Sequence, residues 1–134
     1  MKPNRKQERR QAADAWYSAL AERPDLHRLP TGEYYEILTS SDAAPLAAAH
    51  VVTCRYTGRL TDGRIFDSNA GDAVPAAFRI SELIPGFANA LRAMSPGATW
   101  RVYIPWTAAY GPKASGPVPA YAPLIFDITL VSAM

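Results

Sequence analysis

One cysteine, Cys54, and two histidines, His27 and His50, are all that 134 residues offer for thiol, redox or imidazole chemistry. A lone thiol cannot close an internal disulfide or build a cysteine-based metal cluster, and in the run HVVTCRY it reads as a small core residue. The histidines fall in different predicted elements with no pair of carboxylates beside them, so no metal site is expected. Long apolar runs are also missing, none approaching the about 18 residues that span a bilayer. A phosphate-binding loop is lacking because Gly111 and Gly116 bracket PKAS without the lysine and hydroxyl that end such a motif, and there is no Gly-x-Ser-x-Gly elbow. Metal-assisted, nucleophilic and phosphate-binding chemistry are thereby left without candidate residues.

Charge is scarce as well, at 19% of residues with a net value of +2, against 49% hydrophobic residues. The first ten residues carry Lys2, Arg5, Lys6, Arg9 and Arg10 against Glu8, so the tail holds +4 and the remainder −2. With no basic face and interleaved aromatics after it, this tail is expected to be a solvated or frayed terminus, and no nucleic-acid partner is expected. The start resembles the charged region of a signal peptide, but QAADAWYSALAERP is too polar to continue one. A cytoplasmic chain is therefore expected, with the periplasm as the alternative if a signal was removed. The length suits one globular domain.

Residues 8–22 are predicted to be a helix, because Ala12, Trp16 and Leu20 recur at four-residue spacing and Pro24 disfavours helical geometry at Arg23. So narrow an apolar stripe is expected to dock on its own domain rather than on a membrane or partner. A Pro-Thr-Gly turn then leads to a strand at 33–39. HVVTCRYTGRL and RIFDS flank Thr61-Asp62-Gly63, a hairpin signal, since such a turn takes residues that tolerate positive φ. A further strand is predicted at 77–80. A short helix at 86–93 follows, carrying Phe87, Leu91 and Met94 on one face, opened by Pro85 and closed by Pro96-Gly97. TWRVYI (99–104) and LIFDITLV (124–131) alternate as strands. Hairpin-linked strands and one amphipathic helix predict an α+β domain, an antiparallel, curved β-sheet wrapped around a short central helix, with an N-terminal helix before it.

Aromatics are what this sequence has to spend: Tyr56, Phe66, Phe78, Phe87, Tyr103, Tyr110, Tyr121 and Phe126. Taken singly they read as core residues. Asp67 follows Phe66 on a short strand, so ideal alternation sends the two to opposite faces unless a bend brings both to one rim. Between the last two strands, IPWTAAYGPKASGPVPAYAP holds five of the twelve prolines. They limit the freedom of a long loop, which is expected to form a rigid lip around a ligand.

The order and spacing of these motifs resemble the FKBP family of peptidyl-prolyl isomerases. VVTCRYTGRLTDGRIFDS is similar to that family's Tyr-Thr-Gly, Asp-Gly and Phe-Asp-Ser signature, LIPGFANALRAMSPG to its helix over the pocket, and YIPWTAAYG with VPAYAPLIFDITL to its closing segments. LPTGEYYEIL resembles the extra strand that precedes the domain in many bacterial members. The resemblance implies a basic tail and helix over 1–28 and an isomerase domain over 29–134, with its core at 48–131. It implies a prolyl isomerase that acts on proline-containing polypeptides in protein folding, needs no cofactor and takes macrolides as inhibitors. Asp67, Tyr110 and Tyr56 would be catalytic, with Phe66, Phe78, Leu83, Ile84, Phe87, Val118 and Phe126 binding the substrate. Phe87 would be the floor, where the family usually has Trp. The Ile84 N–H and Tyr110 hydroxyl would hold substrate carbonyls, and Asp67 would meet the carbonyl carbon or orient Tyr56. Ala76 stands where many relatives place a second aromatic, and NAGDAV (69–74) lacks the Arg that relatives often pair with the Asp. These departures motivate an alternative, a catalytically weak proline-binding or chaperone-like module. A monomer is the default, with dimerisation through the 8–22 helix, as in some relatives, left open.

Overall fold

The computed structural model describes residues 4–134. Met1, Lys2 and Pro3, part of the basic tail, lie outside the described residues.

Helix α1 runs Arg5–Ser18, three residues earlier than its apolar spacing predicts, and continues as a single 3-10 turn over Ala19–Glu22. The early start is a capping box: the Asn4 side chain accepts from the Gln7 N–H, and the Gln7 side chain accepts from the Asn4 N–H. Arg5 to Arg10 are therefore exposed but helical. Ala12 is exposed and Ala13 is buried, so the inward face is Ala13, Trp16, Tyr17 and Leu20, the i, i+3, i+4, i+7 pattern of a helix on a surface. That face packs on Tyr34 and Tyr103 of the same chain, and the Tyr17 hydroxyl reaches the Gly32 carbonyl at 2.7 Å. Arg23, extended ahead of Pro24, ends the element.

Seven strands follow: β1 (His27–Arg28), β2 (Tyr34–Thr39), β3 (Val51–Arg59), β4 (Ile65–Ser68), β5 (Ala76–Arg79), β6 (Thr99–Ile104) and β7 (Leu124–Ala133). All pair antiparallel, in the order β1-β2-β6-β7-β3-β4, with β5 also on β3. The two-residue β1 is too short to show a period. β5 ends at Arg79, and Ile80 begins a 3-10 turn, Ile80–Glu82, rather than closing the strand. The Asp62-Gly63 turn forms as predicted: Gly63 has φ +91°, and the Asp62 carboxylate accepts from the Arg64 N–H at 3.0 Å.

Helix α2, Pro85–Ala93, begins with proline at its first position and lays Phe87, Ala90, Leu91 and the following Met94 into the hollow of the curved sheet. There they meet Val52, Cys54, Val102, Ile104, Leu124, Phe126, Ile128 and Leu130, the inward residues of β3, β6 and β7. Burial pushes the Cys54 thiol up to about 11, as expected of an inert core thiol. His27 and His50 are exposed. The predicted α+β architecture, a curved antiparallel sheet around one short helix behind an N-terminal helix, is the one observed.

One buried carboxylate joins the leading segment to this core. Glu33, just before β2, is 0% exposed, accepts from the Thr31 hydroxyl, and lies 3.3 Å from the Asn89 amide nitrogen of α2. Its backbone carbonyl accepts from the Leu29 N–H at 2.8 Å.

Candidate active site

β3 carries two partners on one edge, β5 along Val51–Cys54 and β4 along Thr57–Arg59, and Tyr56 falls in the gap. A backbone N–H there has no strand to pair with. Asn69 fills the gap: its side-chain oxygen accepts from the Tyr56 N–H at 2.7 Å, its amide donates to the Cys54 carbonyl at 3.1 Å, and its own N–H reaches the Tyr56 carbonyl. Asn69 is buried, and its clamp on Tyr56 is invisible to strand periodicity.

The β4 strand has one residue too many. Gly58 faces Asp67 and Arg59 faces Ile65, which leaves Phe66 as a bulge. Strict alternation fails there, so Phe66 meets Phe126 edge-on at 5.5 Å while Asp67 stays at the rim. The Tyr56 hydroxyl donates to the Asp67 carboxylate at 2.9 Å. Gly58 makes room beneath them, since a Cβ on it would meet Phe126 and Phe66 ring carbons at 2.7 Å.

Inside the curve, Tyr56 stands perpendicular to Phe87 at 5.8 Å and edge-on to Phe78 at 6.0 Å, and Phe87 meets Phe126 at 5.0 Å and 85°. These edge-to-face pairs hold one another upright around a hollow of about 220 Å³. It is lined by Tyr56, Asp67, Phe78, Glu82, Leu83, Ile84, Phe87, Tyr110 and Phe126. Eight of these nine are residues that the motif resemblance singles out; Glu82, from the 3-10 turn, is not among them. Phe87, buried at the base, comes from the first turn of α2.

Phe66 and Val118 do not reach the wall. Phe66 braces Phe126 from behind, and Val118 is buried in the core, its backbone paired with Ser115. The expected proline lip is corrected too: of residues 104–123 only Tyr110 lines the hollow, and Pro119 and Pro123 line a separate groove against α1.

Desolvation, then the Asp67 hydrogen bond, pushes the Tyr56 phenol up to about 12, and desolvation, then the Asp67 charge, raises Tyr110. Both phenols are neutral donors at physiological pH. No ion pair forms at Asp67 among the described residues, where the Tyr56 hydroxyl is the side chain that holds the carboxylate. The Ile84 N–H, at the cap of α2, meets no acceptor among the described residues. Among those residues no three His, Cys, Asp or Glu side chains gather as a metal site would require.

An aromatic hollow with the Asp67 and Glu82 carboxylates, two neutral phenols and a spare N–H can grip an apolar ring and fix the carbonyls beside it. The model of the FKBP-type peptidyl-prolyl cis-trans isomerase family matches residues 43–131. The chain belongs to this family. Outer membrane protein MIP of Legionella longbeachae is 40% identical over 131 residues, covering 96% of the chain and 56% of that protein. Peptidyl-prolyl cis-trans isomerase Mip of Coxiella burnetii is 34% identical over 88% of the chain and 52% of its own length. The chain thus spans about half the length of the curated relatives it matches. A crystal structure of a peptidyl-prolyl cis-trans isomerase from Pseudomonas syringae superposes with a TM-score of 0.86 at 31% identity, over 99% of this chain and 98% of that one. That overlap includes α1 and the extra strand, so the whole FKBP-type architecture is shared. No helix among the described residues is long and apolar enough to cross a membrane.

Proposed function

We propose that this chain catalyses cis-trans rotation about X-Pro bonds of polypeptides. The observation that carries the reading is the convergence of Tyr56, Phe78, Phe87 and Phe126 on one hollow whose rim holds Asp67, Tyr110 and the Ile84 N–H.

Rotation about an imide is slow because it breaks amide resonance, with a barrier of about 18–20 kcal/mol. The planar imide carries charge separated onto its oxygen and the twisted form loses much of it, so an apolar wall disfavours the planar state more. With the prolyl ring on Phe87, burial of three methylenes contributes about 2–3 kcal/mol of binding. Equal binding of planar and twisted forms would not raise the rate, and a ten-thousandfold acceleration needs about 5–6 kcal/mol of selective stabilisation. The selective part falls to the polar rim. The Tyr110 hydroxyl and Ile84 N–H hold the flanking carbonyls, and Asp67, aimed by Tyr56, meets the carbonyl carbon as it turns out of plane. No proton is transferred. The hollow is smaller than the roughly 300–1,000 Å³ of pockets that enclose drug-sized ligands, so a macrolide would insert one ring and leave the rest outside.

A second reading, a module that grips proline segments without accelerating them, draws on Ala76, which adds no second ring beside Phe78, and on Asp67 having, among the described residues, only the Tyr56 side chain to hold it. NMR exchange of a short X-Pro peptide separates the two. Acceleration at catalytic protein concentration supports the enzyme, and binding without acceleration supports the module. Tyr110→Phe and Asp67→Val are each expected to slow exchange about 2- to 10-fold, the worth of one hydrogen bond, in a folded protein. Unchanged rates in both would remove these roles.

On location, the relative named as an outer membrane protein favours the cell envelope over the cytoplasm. Fractionation of the native host with an antibody to the chain tests this, and recovery wholly with cytoplasmic markers refutes it.

A further inference from the structure

Lys6, Arg10 and Asp14 recur every four residues along one side of α1, and all three reach the same corner of the domain, the rings of Trp106 and Tyr121. The Asp14 carboxylate accepts from the Trp106 indole N–H at 2.8 Å across 92 residues of sequence. Arg10 lies over the Trp106 ring at 5.3 Å, with its Nε 3.8 Å from the same carboxylate, and the Lys6 ammonium stands 5.9 Å above the Tyr121 ring. Trp106 and Tyr121 meet edge-on at 4.8 Å.

This corner is wired to the rim of the hollow through the backbone. Trp106 opens the 3-10 turn Trp106–Ala108, and its carbonyl accepts from the Gly111 N–H at 3.1 Å, so the chain folds back on itself around Tyr110. The Gly111 carbonyl accepts in turn from the Tyr121 N–H at 3.0 Å. Tyr121 holds φ +59°, the only positive value outside glycine among the described residues. A bulky residue keeps that conformation only where its surroundings over-determine it, and here the ring contacts and the Gly111 bond do so. Tyr110, 41% exposed and with its hydroxyl engaged by no side chain among the described residues, has little else to fix its aim.

We infer that Asp14 and Trp106 are positioning residues for Tyr110: helix α1 is a brace that sets the Tyr110 hydroxyl at the substrate cavity. The inference rests on the isomerase reading for its kinetic consequence, and on geometry alone for its structural one. Displacing a hydroxyl that must meet a carbonyl lowers the rate without touching the aromatic floor.

The test compares Asp14→Ala, Asp14→Asn and Trp106→Phe in the full chain, by X-Pro exchange and by NMR of the Trp106 indole and the Tyr110 ring. Asp14 is exposed, so Asp14→Ala should leave the melting temperature within about 2 °C. It should move the Trp106 indole and Tyr110 ring signals and lower exchange efficiency about 3- to 10-fold. Asp14→Asn keeps an oxygen that accepts from the indole and should restore both. Trp106→Phe, which keeps a ring but no N–H, should match Asp14→Ala in exchange and in the Tyr110 ring signal. Full exchange in Asp14→Ala with a shifted indole, or a loss that Asn does not reverse, would overturn the brace. Should the native chain fail to accelerate exchange, the isomerase reading falls by itself. The brace is then decided by the Tyr110 ring signal alone, upheld if Asp14→Ala moves it and overturned if it does not.

Discussion

Phe126 and Asp127 are neighbours on β7, yet they belong to surfaces built by opposite means. Inward, Phe126 meets Tyr56, Phe66 and Phe87 with ring centroids 5.0–6.1 Å apart, and what holds them is shape. Outward, Asp127 pairs with Arg101 of β6 at 2.8 Å and Arg59 of β3 at 3.2 Å, and Arg101 reaches Glu36 of β2 at 3.8 Å, an ionic ladder rung by rung across four strands. The inner surface excludes water and tolerates no change of volume. The outer one is half in water, where charges are screened and side chains can rearrange. Function is therefore concentrated on the face that can least be altered.

The contrast can be broken most severely at Phe126. Phe126→Ala should cost about 3–5 kcal/mol in denaturant unfolding and abolish measurable peptide binding in an NMR titration, since it opens a cavity between Phe66 and Phe87. Next comes Gly58→Ala. The new methyl would overlap the Phe126 and Phe66 rings, so a loss of about 1–3 kcal/mol and slower exchange are expected, read by melts and peptide NMR. On the outer face Asp127→Asn should cost no more than about 1 kcal/mol and leave exchange unchanged. Burial alone would raise the Asp127 pKa, but Arg101 and Arg59 outweigh it and hold the group below its ordinary 3.8. A lowered carboxylate stabilises the fold above its unfolded value and loses that contribution as pH falls through the folded one. The advantage of the native chain over Asp127→Asn should accordingly shrink in melts taken below about pH 4. The smallest effect is none at all: with both phenols raised, exchange should stay flat from about pH 6 to 9. A decline across that span would mean that a phenolate forms at the site.

The same two faces explain what could be read from the residues alone. Inward positions of β3, β6 and β7 alternate, Asp62-Gly63 announces its turn, and Pro85 and Pro96 bracket α2, so sheet, hairpin and helix were legible, as were eight of the nine residues around the hollow through their motifs. Period cannot encode a bulge, which is why alternation leaves the relation of Phe66 to Asp67 conditional; the motif resemblance puts Phe66 on the wall, where the structure has it packed behind Phe126. The Asn69 clamp on Tyr56 and the Asn89 contact with Glu33 are polar pairings across 13 and 56 residues, and no local pattern announces them. The start of α1 is signalled not by apolar spacing but by its cap, Asn4 with Gln7 three residues on. The Lys6 and Arg10 contacts escaped for a different reason: a cation's aromatic partner is chosen by tertiary packing, and the sequence shows only a charged tail.

The family match begins at residue 43, after the extra strand. Yet β2 is hydrogen-bonded to β6 along nearly its whole length, and Tyr34 and Tyr35 cover Tyr103 and Trp100. A fragment excised at that boundary would strip one border of the sheet, leaving unpaired amides beside two large bare rings, the kind of seam along which chains stick to one another. Anyone preparing a minimal version should keep α1 and β1 as well as β2, since Trp16, Tyr17 and Leu20 cover Tyr34 and Tyr103.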